Sequence, residues 1–265
     1  GLWLFNRLKR EGYSVLLLEK ESIGCGQTVA SQGIIHSGLK YAFAGQVNAL
    51  ARSISAMPDL WRAALRGDGP VDLSAAKVNA SSQYLLIPPG FMGGLIGLVA
   101  KKTLGGNVHE LPAARWPQAL RKTGFSGTVI FMDEPVLDVA SALHALAAPY
   151  PGAIRKADIL SDAEFVIGAG GAIDNLNLGG QTITAKRYIF TAAGANRMLA
   201  EKLGHAAGLE TQARPLLMGL MHNAPCELYA HCVGPSDKPV MTITTHRTAD
   251  GTLVWYLGGG VAERA

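Results

Sequence analysis

His36 stands in the stretch GQTVASQGIIHSGLKY, residues 26–41, four positions before Lys40. An imidazole with an ordinary pKa of about 6.5 can take a proton from a hydroxyl near neutral pH. An ammonium four residues on can face an anion. Glycines and small polar side chains surround the pair, and only GIIH has strand character. Such a loop permits close approach of backbone to a ligand and offers hydroxyl and amide donors. A histidine bonded by neighbouring backbone and a solvated lysine would read the same way. The elements on either side have to discriminate.

The chain before the loop, GLWLFNRLKREGYSVLLLEKE, reads as three pieces. Leu2, Phe5 and Leu8 give the apolar face of a helix, and Asn6, Arg7, Lys9 and Arg10 its polar side. Gly12 is a C-cap. SVLLLE is then a parallel strand apolar on both faces, closing on Glu19. Helix, glycine, buried strand and terminal acid form the second half of a dinucleotide-binding βαβ unit. There the helix N-terminus holds a pyrophosphate and the acid takes ribose hydroxyls. Gly1 lies 18 residues before Glu19, near the expected spacing of about 20. Gly1 is therefore read as the third glycine of G-x-G-x-x-G, with the first strand and two glycines missing. Glu19, with Lys20 beside it, is the ribose end.

Together, VLLLEKESIGCGQTVASQGIIHSGLKY resembles the FAD-dependent oxidoreductases of the D-amino-acid oxidase superfamily. The IIHSGLKY end is similar to the branch with FAD-dependent glycerol-3-phosphate dehydrogenase and 2-hydroxyglutarate dehydrogenase. The resemblance implies a loop running beneath the FAD pyrophosphate, with Thr28, Ser31, Gln32 and the amides around Gly33 as donors. It implies that His36 is catalytic, accepting a hydroxyl proton as hydride leaves the substrate carbon for the flavin. Lys40 would then face an anionic substrate group, less specifically than an arginine would.

Later segments extend the resemblance. A glycine hairpin leads into RYIFTAAGAN, expected as a buried strand before a helix; its Ala192, Ala193 and Gly194 pass close to FAD in the family. Ile159 occupies the place of the backbone that pairs with adenine. THRTADGTLVWYLGGG resembles the strand pair ending near substrate, which makes His246, Arg247 and Tyr256 candidates; Arg247 can hold a carboxylate bidentately. Asp250-Gly251 is a turn signal. Glu134 and Asp138, beside Pro135 at the start of an expected helix, read as capping residues rather than acids of catalysis. A further helix is expected through Val47, Leu50, Ile54, Met57 and Trp61, broken near Pro58, and a buried one in GFMGGLIGLVAKKTLGG.

Bulk properties narrow the partners. With 265 residues, 48% of them hydrophobic, the chain can bury a substantial core. The excess of 24 basic over 20 acidic residues is small, and no basic run is interleaved with aromatics, so nucleic acid is not expected. Cys25, Cys226 and Cys232 form no CxxC or metal-like pair, so no metal is expected and the usage fits a reducing cytoplasm. No apolar run reaches about 18 residues, so no transmembrane segment is expected, while peripheral membrane contact stays open.

The expected fold class is α/β: a Rossmann-like FAD-binding domain interleaved with an antiparallel-sheet substrate domain. The FAD-binding segments are 1–75 and 135–208, and the substrate-domain segments are 76–134 and 209–265. Relative to the family the sequence reads as a fragment, short at both ends. The function implied is oxidation of a CH–OH bond in a small anionic substrate such as a 2-hydroxy acid or glycerol 3-phosphate, with electrons passing to quinone, oxygen or another acceptor. The alternatives are an amine or amino-acid oxidase of the same superfamily and a non-catalytic nucleotide-binding module.

Overall fold

A computed structural model of the chain describes residues 1–37, 56–90, 108–210, 216–234 and 239–264. Its strands in chain order begin with β1 (Leu17–Glu19), β2 (Val78–Ala80), β3 (Gln83–Ile87), β4 (Val108–Glu110) and β5 (Thr128–Met132). They continue with β6 (Val136–Leu137), β7 (Ile154–Lys156), β8 (Ala163–Ile167), β9 (Ile173–Leu178) and β10 (Gln181–Ile183). The last four are β11 (Gly219–His222), β12 (Ala230–Cys232), β13 (Met241–Arg247) and β14 (Leu253–Gly258). The helices are α1 (Leu2–Arg10), α2 (Met57–Leu65), α3 (Gln118–Arg121), α4 (Val139–Ala147) and α5 (Asn196–Lys202).

Two compact units emerge, residues 1–29 with 143–215 and residues 30–142 with 216–265. The division runs differently from the segments drawn on the sequence. Residues 30–37 and 56–75 group with the sheet-rich unit, because the chain around Ile34 is annealed to β6. The amide of Ile35 donates to Pro135, and that of Leu137 to Gly33.

In the first unit α1 buries Phe5 and Asn6, and the Asn6 amide donates to the Leu146 carbonyl at 2.9 Å. Gly12, at φ +85°, turns the chain out of the helix in the left-handed region. Strand β1 then pairs in parallel with β7, Glu19 opposite Lys156. Parallel pairing across so long an excursion is a crossover, as the sequence pattern requires. β8, β9 and β10 form an antiparallel meander with the glycine turn at Gly179-Gly180. RYIFTAAGAN departs from expectation. Residues 187–191 belong to no strand, and Ile189 is 58% exposed.

The second unit is built on a seven-stranded sheet, order β11-β14-β13-β12-β3-β5-β4. All its pairings are antiparallel except β12 with β3, which is parallel, so the sheet is mixed rather than purely antiparallel. Alternation sorts its two faces. One face carries Leu86, Val129, Ala230 and Ile243, covered by Leu111, Leu120 and Leu228. The other is apolar only at the β4–β5 end, through Leu85, Ile87, Val108, Ile130 and Met132. Toward β13 and β14 it turns polar. His231 lies between Leu85 and Thr242, and Thr244 lies opposite Tyr256, so all of these share that face.

Helix α2 starts beside Pro58, where a missing N–H leaves no intrahelical bond unmade. The expected helix before it, and that in GFMGGLIGLVAKKTLGG, lie outside the described residues. The hairpin at Asp250-Gly251 forms between β13 and β14. Among the described residues no helix is long and apolar enough to cross a membrane.

Candidate active site

Polar residues gathered on an otherwise apolar sheet need partners, since an unpaired buried donor or acceptor costs about 1–3 kcal/mol. In the second unit they find one another. Glu134, 2% exposed, sits in the three-residue step between β5 and β6. Its Oε1 accepts from the Ser37 amide at 2.7 Å and from the Ser37 hydroxyl at 2.5 Å. Its Oε2 accepts from Gln83 Nε2 at 3.1 Å and faces His36 Nδ1 at 3.6 Å. The His231 ring packs against that of His36 at 5.6 Å between centroids, and its Nδ1 lies 3.0 Å from the Thr242 hydroxyl.

Burial works to raise the Glu134 pKa. His36 beside it, together with the two Ser37 bonds, outweighs that effect and holds the carboxyl below its ordinary range. Glu134 is thus an anion kept in place by four groups. The capping role expected for it is incorrect, whereas Asp138 does cap α4, accepting from the Ser141 amide at 2.7 Å. Capping was assigned from spacing along the chain. What decides Glu134 is the sheet beneath it, which brings up Gln83 and His231.

A second polar group lies farther along β13. The His246 ring stacks on Tyr256 with centroids 4.1 Å apart, and its two nitrogens face Asn79 Nδ2 at 3.4 Å and Thr244 Oγ1 at 3.0 Å. Desolvation lowers its pKa, with Asp138 opposing, so His246 is a neutral imidazole near pH 7. The structure thus brings together two of the candidates, His246 and Tyr256.

Arg247 is not part of this group. Alternation puts it on the opposite face, where it is exposed and pairs with Glu227. Gln32 is not a free cofactor donor either. Its Nε2 donates to the carbonyls of Thr242 at 3.2 Å and Tyr256 at 2.8 Å, stapling the loop across Gly258. Gly33 has a packing reason of its own: at φ +70°, a Cβ would lie 2.2 Å from the Leu137 carbonyl oxygen. Lys40 lies outside the described residues.

The remaining candidates, Ser31 apart, belong to the first unit. Gly1 ends α1 with no side-chain cap and no acid in the first turn. A Cβ there would meet the Thr191 hydroxyl at 2.7 Å, so the helix start and the 191–194 turn are in contact. Ala193 has φ +47°, and a Cβ on Gly194 would meet nothing within 4 Å; Ala192, Ala193 and Gly194 are all exposed. Glu19 is half-buried at the end of β1. Lys20 is tied to Asp158 at 3.1 Å, which binds the β1 end to the turn holding Ile159. The Ile159 carbonyl faces Lys202 Nζ at 3.4 Å. Thr28 and Ser31 are exposed on the loop between.

An uncapped helix start, an acid at the neighbouring strand end and an exposed small-residue corner fit the nucleotide half of FAD. The residues present are compatible with the cofactor. A groove of about 480 Å³ in this unit, lined by Lys186, Arg187, Tyr188 and His205 among others, contains none of them.

Comparison with known proteins decides the family. The FAD dependent oxidoreductase family, DAO, matches residues 1–263. The chain belongs to this family. It is 38% identical over 267 residues to the probable FAD-dependent oxidoreductase PA4991 of Pseudomonas aeruginosa, covering 99% of this chain and 66% of that protein. The crystal structure of PA4991 superimposes with a TM-score of 0.79 at 34% identity, over 99% of this chain and 63% of that one. Glycine oxidase from Geobacillus kaustophilus shares the fold, with a TM-score of 0.63 at 15% identity, over 98% of this chain and 68% of its own. The chain thus spans just under two thirds of the PA4991 length. The glycerol-3-phosphate and hydroxyglutarate branch is not singled out by these relatives.

Three residues of the site were missed in the sequence or misread there: Glu134, His231 and Gln83. Signals existed. Glu134 interrupts the apolar run VIFMDEPVL, and His231 alternates with apolar residues in LYAHCV. A polar side chain in such a run is buried and must be bonded.

Proposed function

We propose that the protein oxidises a CH–OH bond in a small anionic molecule, a 2-hydroxy acid or a hydroxyalkyl phosphate, as part of an FAD-dependent dehydrogenase or oxidase. FAD, when bound, supplies a two-electron acceptor that takes hydride at N5. His36 does the complementary work, accepting the hydroxyl proton as the carbon–oxygen double bond forms. One proton and one hydride leave the substrate and a carbonyl product remains. The observation that carries this reading is the buried Glu134 carboxylate facing His36. An imidazole backed by an anion is stabilised in the protonated form that such a step produces.

Lys40 is the cationic candidate for the substrate's anionic group, and His246 with Tyr256 gives it a neutral polar wall. Glu19, Lys20, the α1 N-terminus at Gly1, Thr28, Ser31, Ile159 and the 192–194 corner hold the cofactor's nucleotide half. Gln32 and Gly33 contribute through the backbone they fix. Electrons then pass to quinone, oxygen or another acceptor. Oxidation of an amine, as the name glycine oxidase describes for that protein, needs no base for a hydroxyl proton, and at 15% identity that neighbour supports the fold alone.

The test is anaerobic reduction of the flavin in the full-length holoenzyme, followed as bleaching, with panels of 2-hydroxy acids, glycerol 3-phosphate and amino acids. Bleaching by a hydroxy substrate is expected. Bleaching by amines alone would overturn the assignment.

A further inference from the structure

The Glu134 carboxylate is held more firmly than a mere neighbour of His36 needs to be. It is buried, ionised and fixed on three sides by Ser37 N–H, Ser37 O–H and Gln83 N–H. Its fourth side is turned to His36 Nδ1. Two-pronged anchoring through Ser37 is also local: Ser37 directly follows His36, so the loop that carries the imidazole is clamped to the same carboxylate that faces it. Desolvating an anion is costly, and a chain that needed only a packed loop would be served as well by an apolar residue of similar size.

We propose that Glu134 is a positioning residue for His36: its carboxylate accepts a hydrogen bond from Nδ1–H, fixes the neutral ring as the Nδ1–H tautomer, and so makes Nε2 the atom that exchanges a proton with substrate. The inference deepens the base reading of His36 and rests on it. At 3.6 Å the Nδ1–Oε2 contact is longer than a formed hydrogen bond. It closes with a small rotation of the imidazole, as catalytic bonds commonly tighten once a ligand is bound.

Other groups around the ring allow this choice. His231, from β12, presents its ring to the His36 ring rather than a carboxylate, and its Nδ1 is directed to Thr242. Asp133, next to Glu134, is taken by Arg62. Glu134 is therefore the anion that faces His36 among the described residues.

The same three side chains, His36, Glu134 and His231, bring one donor atom each within 4.8 Å of one another. Those are ligand types for a transition metal. The carboxylate oxygens are already engaged by Ser37 and Gln83, which favours a proton-handling cluster over a metal centre.

The tautomer can be read directly. In the full-length holoenzyme with ¹⁵N-labelled histidine, long-range ¹H–¹⁵N spectra should show neutral His36 protonated at Nδ1. A neutral His36 protonated at Nε2 would overturn the proposal without any variant. Glu134→Gln should bind FAD with unchanged stoichiometry, lose about 10- to 100-fold in kcat with a smaller change in KM, and move the acid limb of the pH profile to lower pH. That range is the worth of one charge-assisted hydrogen bond. Glu134→Asp should recover part of the rate.

If His36→Ala costs rate while Glu134→Gln changes neither tautomer nor pH profile, the positioning role is wrong and the base reading stands. If neither variant changes kcat, the base reading itself has failed, and the inference with it. Stoichiometric zinc or iron released by His36→Ala would make the cluster a metal centre and sink the proposal.

Discussion

The two units hold their polar residues in opposite ways. In the first, Glu19, Gly1 and the Ala192–Gly194 corner sit at strand and helix ends, half-buried or exposed, and the start of α1 has no side-chain cap. In the second, Glu134, Gln83, His231, Thr242 and Thr244 are buried and bonded to each other or to neighbouring chain. On the proposed function, the difference is one of task. Groups that hold a large anionic cofactor are completed by the ligand, whereas groups that move a proton need a geometry set before the ligand arrives. Binding should therefore be lost by mutation in the first unit and rate by mutation in the second.

The largest effect expected from this contrast is at His36. His36→Ala should retain FAD, because Gly1, Glu19, Ile159 and the 192–194 corner lie in the other unit, and turnover should fall by about 10²–10⁴, the usual worth of a positioned general base. Flavin absorbance of the purified variant and kcat with a hydroxy substrate check both halves. Loss of flavin with the rate per bound flavin intact would break the contrast.

Glu19→Ala should do the reverse. Ribose hydrogen bonds to a carboxylate are worth about 1.5–3 kcal/mol, so FAD affinity should weaken by roughly 10- to 100-fold. At saturating FAD the turnover should be near that of the parent. Titration of the apoprotein with FAD, by fluorescence quenching, gives the first number and kcat at high FAD the second.

Much of the first unit was legible in the sequence because its signals are local. The helix, the Gly12 exit and the β1 strand follow one another within 19 residues, and the Gly179-Gly180 turn announces its hairpin, as Asp250-Gly251 does in the second unit. The Glu134 cluster was not legible beyond His36. It is assembled by β12 pairing in parallel with β3, which brings His231 beside Leu85, 146 residues earlier in the chain. Nothing in either strand's own pattern names its neighbour. Arg247 failed for a related reason: period-2 alternation puts it on the face opposite His246, but which face is polar depends on the whole sheet.

A smaller effect concerns stability. Glu134→Ala strips the partners from Ser37 and buried Gln83, at a cost of about 1–3 kcal/mol, read as a shift in the urea midpoint. The pH dependence has a definite sign. The folded-state pKa of Glu134 is lowered, so its stabilising contribution is full above the ordinary carboxylate value and is lost as pH falls through the folded one. His246, also lowered, remains neutral in the fold while the unfolded chain takes up a proton, so stability declines as pH drops below about 6.5. A parent protein equally stable at pH 7 and pH 4 would contradict both.

The smallest effect is expected at Arg247, and it discriminates most sharply between sequence and structure. A strand-end arginine beside a candidate substrate histidine suggests a carboxylate clamp, whose removal would raise KM by one or two orders of magnitude at the worth of a charged hydrogen bond. The structure instead pairs Arg247 with Glu227 on the outer face, both side chains about half exposed at 60% and 49%. An ion pair so placed is screened by water and salt and contributes about 0–1 kcal/mol. Arg247→Ala should leave KM and kcat with a hydroxy acid within about twofold and shift the unfolding midpoint by no more than that contribution allows. Lys40→Ala should raise KM in the same assay. A tenfold rise in KM for Arg247→Ala, with Lys40→Ala silent, would mean that the substrate's anionic group is held on the far face of the sheet, and the polar face carrying His36 and His246 would lose its claim to be the site.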